Sequence, residues 1–440
     1  MSKPLALSKI MEHLRESWQS LPDMRKPNNN TKYTIADAGL AAFSTFFMQM
    51  PSFLAYQRAM EQSKGRSNSR SLFQVEKLPS DNQIRNLLDP LTPAQFHGDY
   101  AWLLGELGQS GHLQAFRAYQ NTLLVALDGL TYHASTTIHC PECLERQDSQ
   151  GTVHYYHSAI TPVIVKPATA QVLPLAPEFI VPQDGHAKQD CERAAVKRWL
   201  AQHAVADPAW TVTYLGDDLY ANQPLCQSLV DTYQQFFVFV CKPDSHLTLD
   251  QEVALLEKVA GVTTHQQRLW NGRQAELWTY RLANQVPLRA GSDALLVNWF
   301  ELTITQAKTG QVLFHNSWVT NHHLTTHTVP LLAEVGRTRW KVENEAINVL
   351  KNQGYHLEHN FGHGQQHLAT VLFSLNLLAF LTHTVQHLVN HAYRLLRETL
   401  AVRRTFFHDL KALTRYMLFE SWDALFAFML DGLELALPPP

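Results

Sequence analysis

Arg337-Thr338-Arg339-Trp340-Lys341-Val342-Glu343-Asn344-Glu345 is a charged stretch late in a chain of 440 residues. Val342, Ala346, Val349 and Leu350 follow at helical spacing and predict a helix with one apolar face. Glu343 stands one turn after Arg339 on a neighbouring face. By itself the pair reads as an i, i+4 surface ion pair worth a few tenths of a kcal/mol. Two other stretches change that reading. Leu123-Leu124-Val125-Ala126-Leu127-Asp128-Gly129 and Tyr214-Leu215-Gly216-Asp217-Asp218-Leu219-Tyr220 are each strand-like apolar runs that end in aspartate. A carboxylate on a helix packed against a sheet can meet carboxylates at the ends of its strands.

Outward from these three stretches the chain falls into four regions. Residues 1–115 read as helical. Ile10 to Trp18 is periodic, Pro22 to Lys32 is an Asn-rich loop, and Ile35 to Met48 is apolar on most faces and predicts a buried helix. Within residues 58–70 the latter half is basic, small and flexible in composition, either a loop suited to phosphate contacts through Lys64, Arg66 and Arg70 or simply a solvated loop. Pro79 to Leu88 reads as an N-capped helix with acid in its first turn.

Residues 116–243 read as mixed α/β. Leu123 to Leu127 suits a strand buried on both faces. After a polar excursion come two extended pieces around Pro162, another over 171–181, a helix over 186–203, a strand over 210–216, a helix over 224–233 and a strand over 236–241. Residues 244–325 read as one helix and then a β-rich insertion whose last two strands are joined by Ala307-Lys308-Thr309-Gly310, a hairpin signal. Residues 326–436 carry the Glu343 helix and further helices. The Pro438-Pro439-Pro440 tail reads as unstructured.

A 45% apolar and 17% charged composition with formal net charge −3 describes an ordinary globular protein, so any nucleic-acid surface must be local. Five cysteines, an odd number, argue against a disulfide framework and for a reducing cytoplasm. The first residues contain no long apolar run of the signal-peptide kind. The apolar stretch Leu368 to Leu381 is too short to span a bilayer and reads as a buried helix, so no membrane partner is expected. No P-loop is present, so ATP-driven chemistry is not indicated.

Three acids on separate elements of one α/β core, Asp128, Asp217 and Glu343, are what a two-metal phosphodiester site requires. Their oxygens suit Mg²⁺ or Mn²⁺, and two such ions stabilise the attacking and leaving oxygens of an in-line displacement. The order of elements, the strand-end aspartates and the Arg-Trp-x-Val-Glu helix resemble bacterial insertion-sequence transposases of the DDE type over roughly residues 30–420. The resemblance implies an RNase H-like core split by the β-rich insertion, with an N-terminal DNA-binding region. It implies Asp128, Asp217 and Glu343 as catalytic and metal-binding acids. Asp217 is preferred to Asp218 as the first residue of Asp-x-x-aromatic, and Glu343 to Glu345 by the spacing from Arg339.

The same resemblance implies that Arg339 contacts DNA near the cleaved bond. Where the family often carries Tyr three residues earlier, this chain has Gly336. Where it carries Lys seven residues after the Glu, this chain has Leu350, with Lys351 adjacent. The implied partners are double-stranded DNA, as element ends and as target, and a second copy of the chain in a homodimeric synaptic complex. The implied location is the bacterial nucleoid. The alternatives are an end-binding protein without turnover and an RNase H-like nuclease without strand transfer.

Cys140-Pro141-Glu142-Cys143, with His139, His154 and His157 nearby, supplies half of the four ligands that a structural zinc site needs. Its bland reading is a polar turn with two reduced thiols. His359, His363 and His367 recur every four residues, but Gly362 and Gly364 interrupt a helix, and these histidines read as packing or backbone-contacting groups.

Overall fold

The N-terminal helices form where apolar residues recur at helical spacing. The computed structural model describes residues 5–26, 32–60, 63–182, 191–203 and 210–437, with the backbone alone for 63–67. Helices α1 (Leu7–Gln19), α2 (Ile35–Phe47), α3 (Phe53–Met60), α4 (Ser63–Phe73), α5 (Asp81–Leu88) and α6 (His97–Gln109) come first. Every residue of α2 is buried. Its entry is fixed by a capping box in which Thr34 and Asp37 satisfy each other's backbone N–H. Ser80 caps α5 as its sequence predicts.

The basic stretch expected to be a flexible loop is helix α4 instead. Ser and Gly make it a poor helix former, but tertiary contacts override that. The Asn68 amide donates to the carbonyls of Thr414 and Met417 and accepts from the backbone N–H of Phe419. Arg70 pairs with Glu76 at 3.1 Å and is 71% exposed. The side chains of Lys64 and Arg66, the Asn-rich loop at 27–31, the start of the 186–203 stretch and the tail at 438–440 lie outside the described residues.

The strands are β1 (Leu123–Ala126), β2 (Gly129–Ser135), β3 (Leu144–Gln147), β4 (Val153–Ile160), β5 (Val163–Val165), β6 (Leu173–Pro174) and β7 (Glu178–Ile180). Helix α7 (Glu192–His203), strand β8 (Val212–Gly216), helix α8 (Gln223–Gln227), strand β9 (Phe236–Val240) and helix α9 (Leu247–Lys258) follow. The β-rich stretch then supplies β10 (Thr263–Trp270), β11 (Ala275–Pro287), β12 (Leu296–Gln306) and β13 (Val312–Thr320). The fold is therefore mixed α/β, as the sequence indicates. One sheet runs β10-β11-β12-β13-β9-β8-β1-β5-β6. Within it β1, β8 and β9 are parallel neighbours, and β5 is antiparallel to β1. The β-rich stretch continues this sheet from its β9 edge through β13.

The polar excursion after β1 is a second sheet, β2-β4-β3, with β7 also paired to β4. It escapes a sequence reading because β3 and the outer half of β2 are exposed and lack an apolar run.

The C-terminal part holds α10 (Val329–Arg337), a turn of π-helix (Val342–Ile347), α11 (Asn348–Asn352), α12 (Leu368–Val389), α13 (His391–Thr399), α14 (Arg403–Tyr416) and α15 (Trp422–Gly432). Helix α12 continues past the apolar run to 22 residues, long enough by length and composition to cross a bilayer. Yet 94% of its most apolar window is buried within the protein, which makes it a core helix. Tyr100 on α6 donates to the Ser374 carbonyl of α12, and Asn376 of α12 donates to the Tyr355 carbonyl.

Candidate active site

Register brings the first two acids together. β1 and β8 run parallel with Ala126 opposite Leu215, so Asp128 and Asp217 each stand two residues beyond that pair. Adjacent strands are about 4.8 Å apart, and the two carboxylates therefore leave the same end of the sheet side by side. Asp217 also accepts from the Leu219 N–H, which starts the following turn. Asp218 faces elsewhere: its carboxylate takes the Lys242 N–H at 2.6 Å and lies 3.4 Å from His246.

The third acid arrives from the helical layer. Val342, Ala346, Ile347, Val349 and Leu350 are buried, which leaves Glu343 on the opposite, exposed side of the π-turn. A π-turn widens the helix by one residue and recurs at functional sites. Arg339 spans the gap between sheet and helix. Its Nη1 lies 3.5 Å from Asp128 Oδ2, and its Nη2 donates to Glu343 Oε1 at 3.0 Å. The pair expected between Arg339 and Glu343 is thus one half of a bridge. Glu345 faces a separate cleft lined by Arg397 and Arg403.

A fourth carboxylate belongs to the cluster. Glu192, in the first turn of α7, accepts from the Tyr220 hydroxyl at 3.3 Å. It packs on Gly129, where a Cβ would lie 2.3 Å from its Oε1. A side chain at this position would have to push the Glu192 carboxylate aside. Burial, then the charge of Asp217, raises the Glu192 carboxyl above its ordinary range. Glu192 has no signature in the sequence beyond being an acid in a helix leading to the Asp217 strand.

Burial pushes Asp128 up to about 6, opposed by Arg339 and reinforced by Glu343, Asp217 and Glu192. Four carboxylates and one guanidinium, which reaches Asp128 and Glu343, leave an excess of negative charge, and the all-oxygen donor set suits a hard divalent cation. Arg339 is the cation that now stands between Asp128 and Glu343. Among the described residues, the only set of three or more groups with ligand atoms within 4.8 Å of one another lies elsewhere.

That set is Cys140, Cys143, His157 and His363, all buried. The sequence points to the two cysteines with His157 among their neighbours, and groups His363 with packing or backbone-contacting histidines. His363 corrects that reading: its Nε2 lies 3.6 Å from Cys143 Sγ. His154 pairs with Asp148 instead, and His139 stacks on Tyr155. A side-chain hydrogen bond with Cys140 holds the Cys143 thiol down to about 7.

Three basic residues on and around the Glu343 helix are engaged within the protein. Lys351 pairs with Glu358 at 3.0 Å, Lys341 donates to the Thr169 carbonyl, and Arg337 stacks over Trp278 and Phe314. Gly336 is explained by packing, since a Cβ there would lie 2.7 Å from Trp318 Nε1. No protein-family model matches this sequence, and no curated protein matches it.

Proposed function

We propose that the chain is a DDE-type transposase that cleaves DNA at the ends of an insertion element and joins the freed 3′-OH to target DNA. The observation that carries this reading is the Arg339 bridge between Asp128 and Glu343, with Asp217 beside Asp128 at the end of the neighbouring strand. The strand order β6-β5-β1-β8-β9, with β1, β8 and β9 parallel and β5 reversed, supports an RNase H-like core. Asp128, Asp217 and Glu343 would hold Mg²⁺ or Mn²⁺. Such ions, when bound, activate the attacking oxygen and stabilise the leaving one.

The residues' own contributions follow from their surroundings. Asp128, titrating near 6, is ionised at neutral pH and available as an oxygen donor. Glu192 accepts from the Tyr220 hydroxyl and lies over Gly129, the residue after Asp128. Arg339 is only 22% exposed but borders the exposed Glu343, where a guanidinium can take a phosphate once cations hold the carboxylates.

The test uses a supercoiled plasmid carrying the DNA that flanks this coding region. Mg²⁺-dependent nicking at an element end, followed by joined products, supports the reading. Cleavage without joined DNA leaves a nuclease. Absence of both in Mg²⁺ and Mn²⁺ removes the proposal.

A further inference from the structure

Four buried side chains, three from residues 140–157 and one from 220 residues beyond Cys143, converge away from the acidic cluster. Cys140 Sγ and Cys143 Sγ are 4.0 Å apart, and His157 Nε2 lies 3.5 Å from the first and 3.4 Å from the second. His363 Nε2 is 3.6 Å from Cys143 Sγ. A tetrahedral zinc ion with ordinary Zn–S and Zn–N bonds sets sulfur–sulfur edges of about 3.8 Å and sulfur–nitrogen edges of about 3.5 Å. A disulfide needs its sulfurs at about 2 Å. The spacing matches a shared ion and does not match a disulfide.

We propose that Cys140, Cys143, His157 and His363 bind one structural zinc ion.

Two thiolates and two imidazoles form a closed tetrahedral set with no position left for substrate, the pattern of a structural site. The backbone is shaped for it. The Cys143 N–H donates to the Cys140 carbonyl and the Cys140 N–H donates to Cys143 Sγ, which folds the Cys-x-x-Cys turn into a knuckle. His363 sits between two left-handed glycines, Gly362 at φ +146 and Gly364 at φ +75. A Cβ at Gly364 would meet the Asp89 carboxylate at 2.2 Å, and that carboxylate accepts the N–H groups of Gln365, Gln366 and Leu368. The glycines that interrupt a helix therefore also turn His363 onto the cysteines. A second tie runs alongside: Glu142, inside the knuckle, lies 2.7 Å from His367 Nδ1.

The ion would fasten the β2-β4-β3 sheet, which leaves directly from Asp128, to the segment between the Glu343 helix and α12. Its role is to hold together two segments that adjoin the elements bearing Asp128 and Glu343.

The test is metal analysis of the full-length chain purified without chelator. One zinc per chain is expected in the wild type and in the control variants H139A and H154A. C143S and H363A should lose it. Cobalt exchanged into the wild type should give the intense visible bands of a tetrahedral ion with thiolate charge transfer, a measurement that needs no variant to fold. Chelation should lower the melting temperature by several degrees, since the ion stabilises only the folded state. A folded wild-type chain without zinc and without a tetrahedral cobalt spectrum overturns the site. So does full zinc retention in both C143S and H363A.

Discussion

Arg339 Nη1 lies 3.5 Å from Asp128 Oδ2, so a residue from the helical layer neutralises an acid at the end of a central strand. The same guanidinium reaches Glu343. The contact joins two stretches far apart in sequence, and it makes Arg339 the internal counter-ion of the cluster. Replacing Arg339 with Ala should tighten Mn²⁺ binding, because the acids lose their resident positive charge. It should also cut DNA cleavage by at least about tenfold if the guanidinium contacts phosphate. Calorimetric titration with Mn²⁺ and a nicking assay report the two effects separately. Weaker Mn²⁺ binding with unchanged cleavage would contradict both roles.

Asp128 makes stability depend on pH in a defined direction. Its folded value of about 6 lies above the ordinary 3.8, so between those values the folded chain binds more protons than the unfolded one. Stability must then fall as pH rises from about 4 to 6 and stay reduced above that. In metal-free buffer, Asp128→Asn should raise the melting temperature at pH 8 and leave it nearly unchanged at pH 4. The gain is bounded by ~3 kcal/mol. A variant less stable than wild type at pH 8 would show that Arg339 outweighs burial.

Gly129 and Glu192 form a steric pair. Gly129→Ala places a Cβ 2.3 Å from the Glu192 carboxylate and should cost about 1–3 kcal/mol. Glu192→Ser should restore most of that loss in the double variant, a coupling that a denaturant-unfolding cycle measures. Independent, additive effects would mean that Glu192 moves aside freely.

Binding to DNA should weaken steeply with salt despite the net charge of −3. Replacing Lys64, Arg66 and Arg70 together with Ala should flatten the slope of log K against log salt by up to about 3 if all three touch phosphates. An unchanged slope removes this segment from the DNA surface.

What the sequence reveals about this fold follows from what is local. The β1 and β8 strands were legible because buried apolar runs end in aspartate, and the α2 and α12 helices because they are apolar on most faces. The hairpin at 307–310 announces itself by its turn residues. Helix α4 was not legible, because its helical state depends on Asn68 meeting carbonyls at the far end of the chain. The small β2-β4-β3 sheet was hidden by polar, half-exposed strands. At the site, three acids could be named from pattern and resemblance, but the Arg339–Asp128 contact and the place of Glu192 are tertiary. His363 was concealed in the same way: it joins Cys143 across 220 residues. Its spacing from His359 and His367 suggested one helical face, whereas the flanking glycines give it a direction of its own.

The most direct test of the account compares metal-dependent nicking of flank-bearing plasmid by wild type, Asp128→Asn, Asp217→Asn, Glu343→Gln and Glu345→Gln. The account predicts that the first three variants bind DNA as the wild type does but cleave at background, that Glu345→Gln cleaves normally, and that chelator stops the wild type. Cleavage that survives in Glu343→Gln, or that proceeds in chelator, would contradict it.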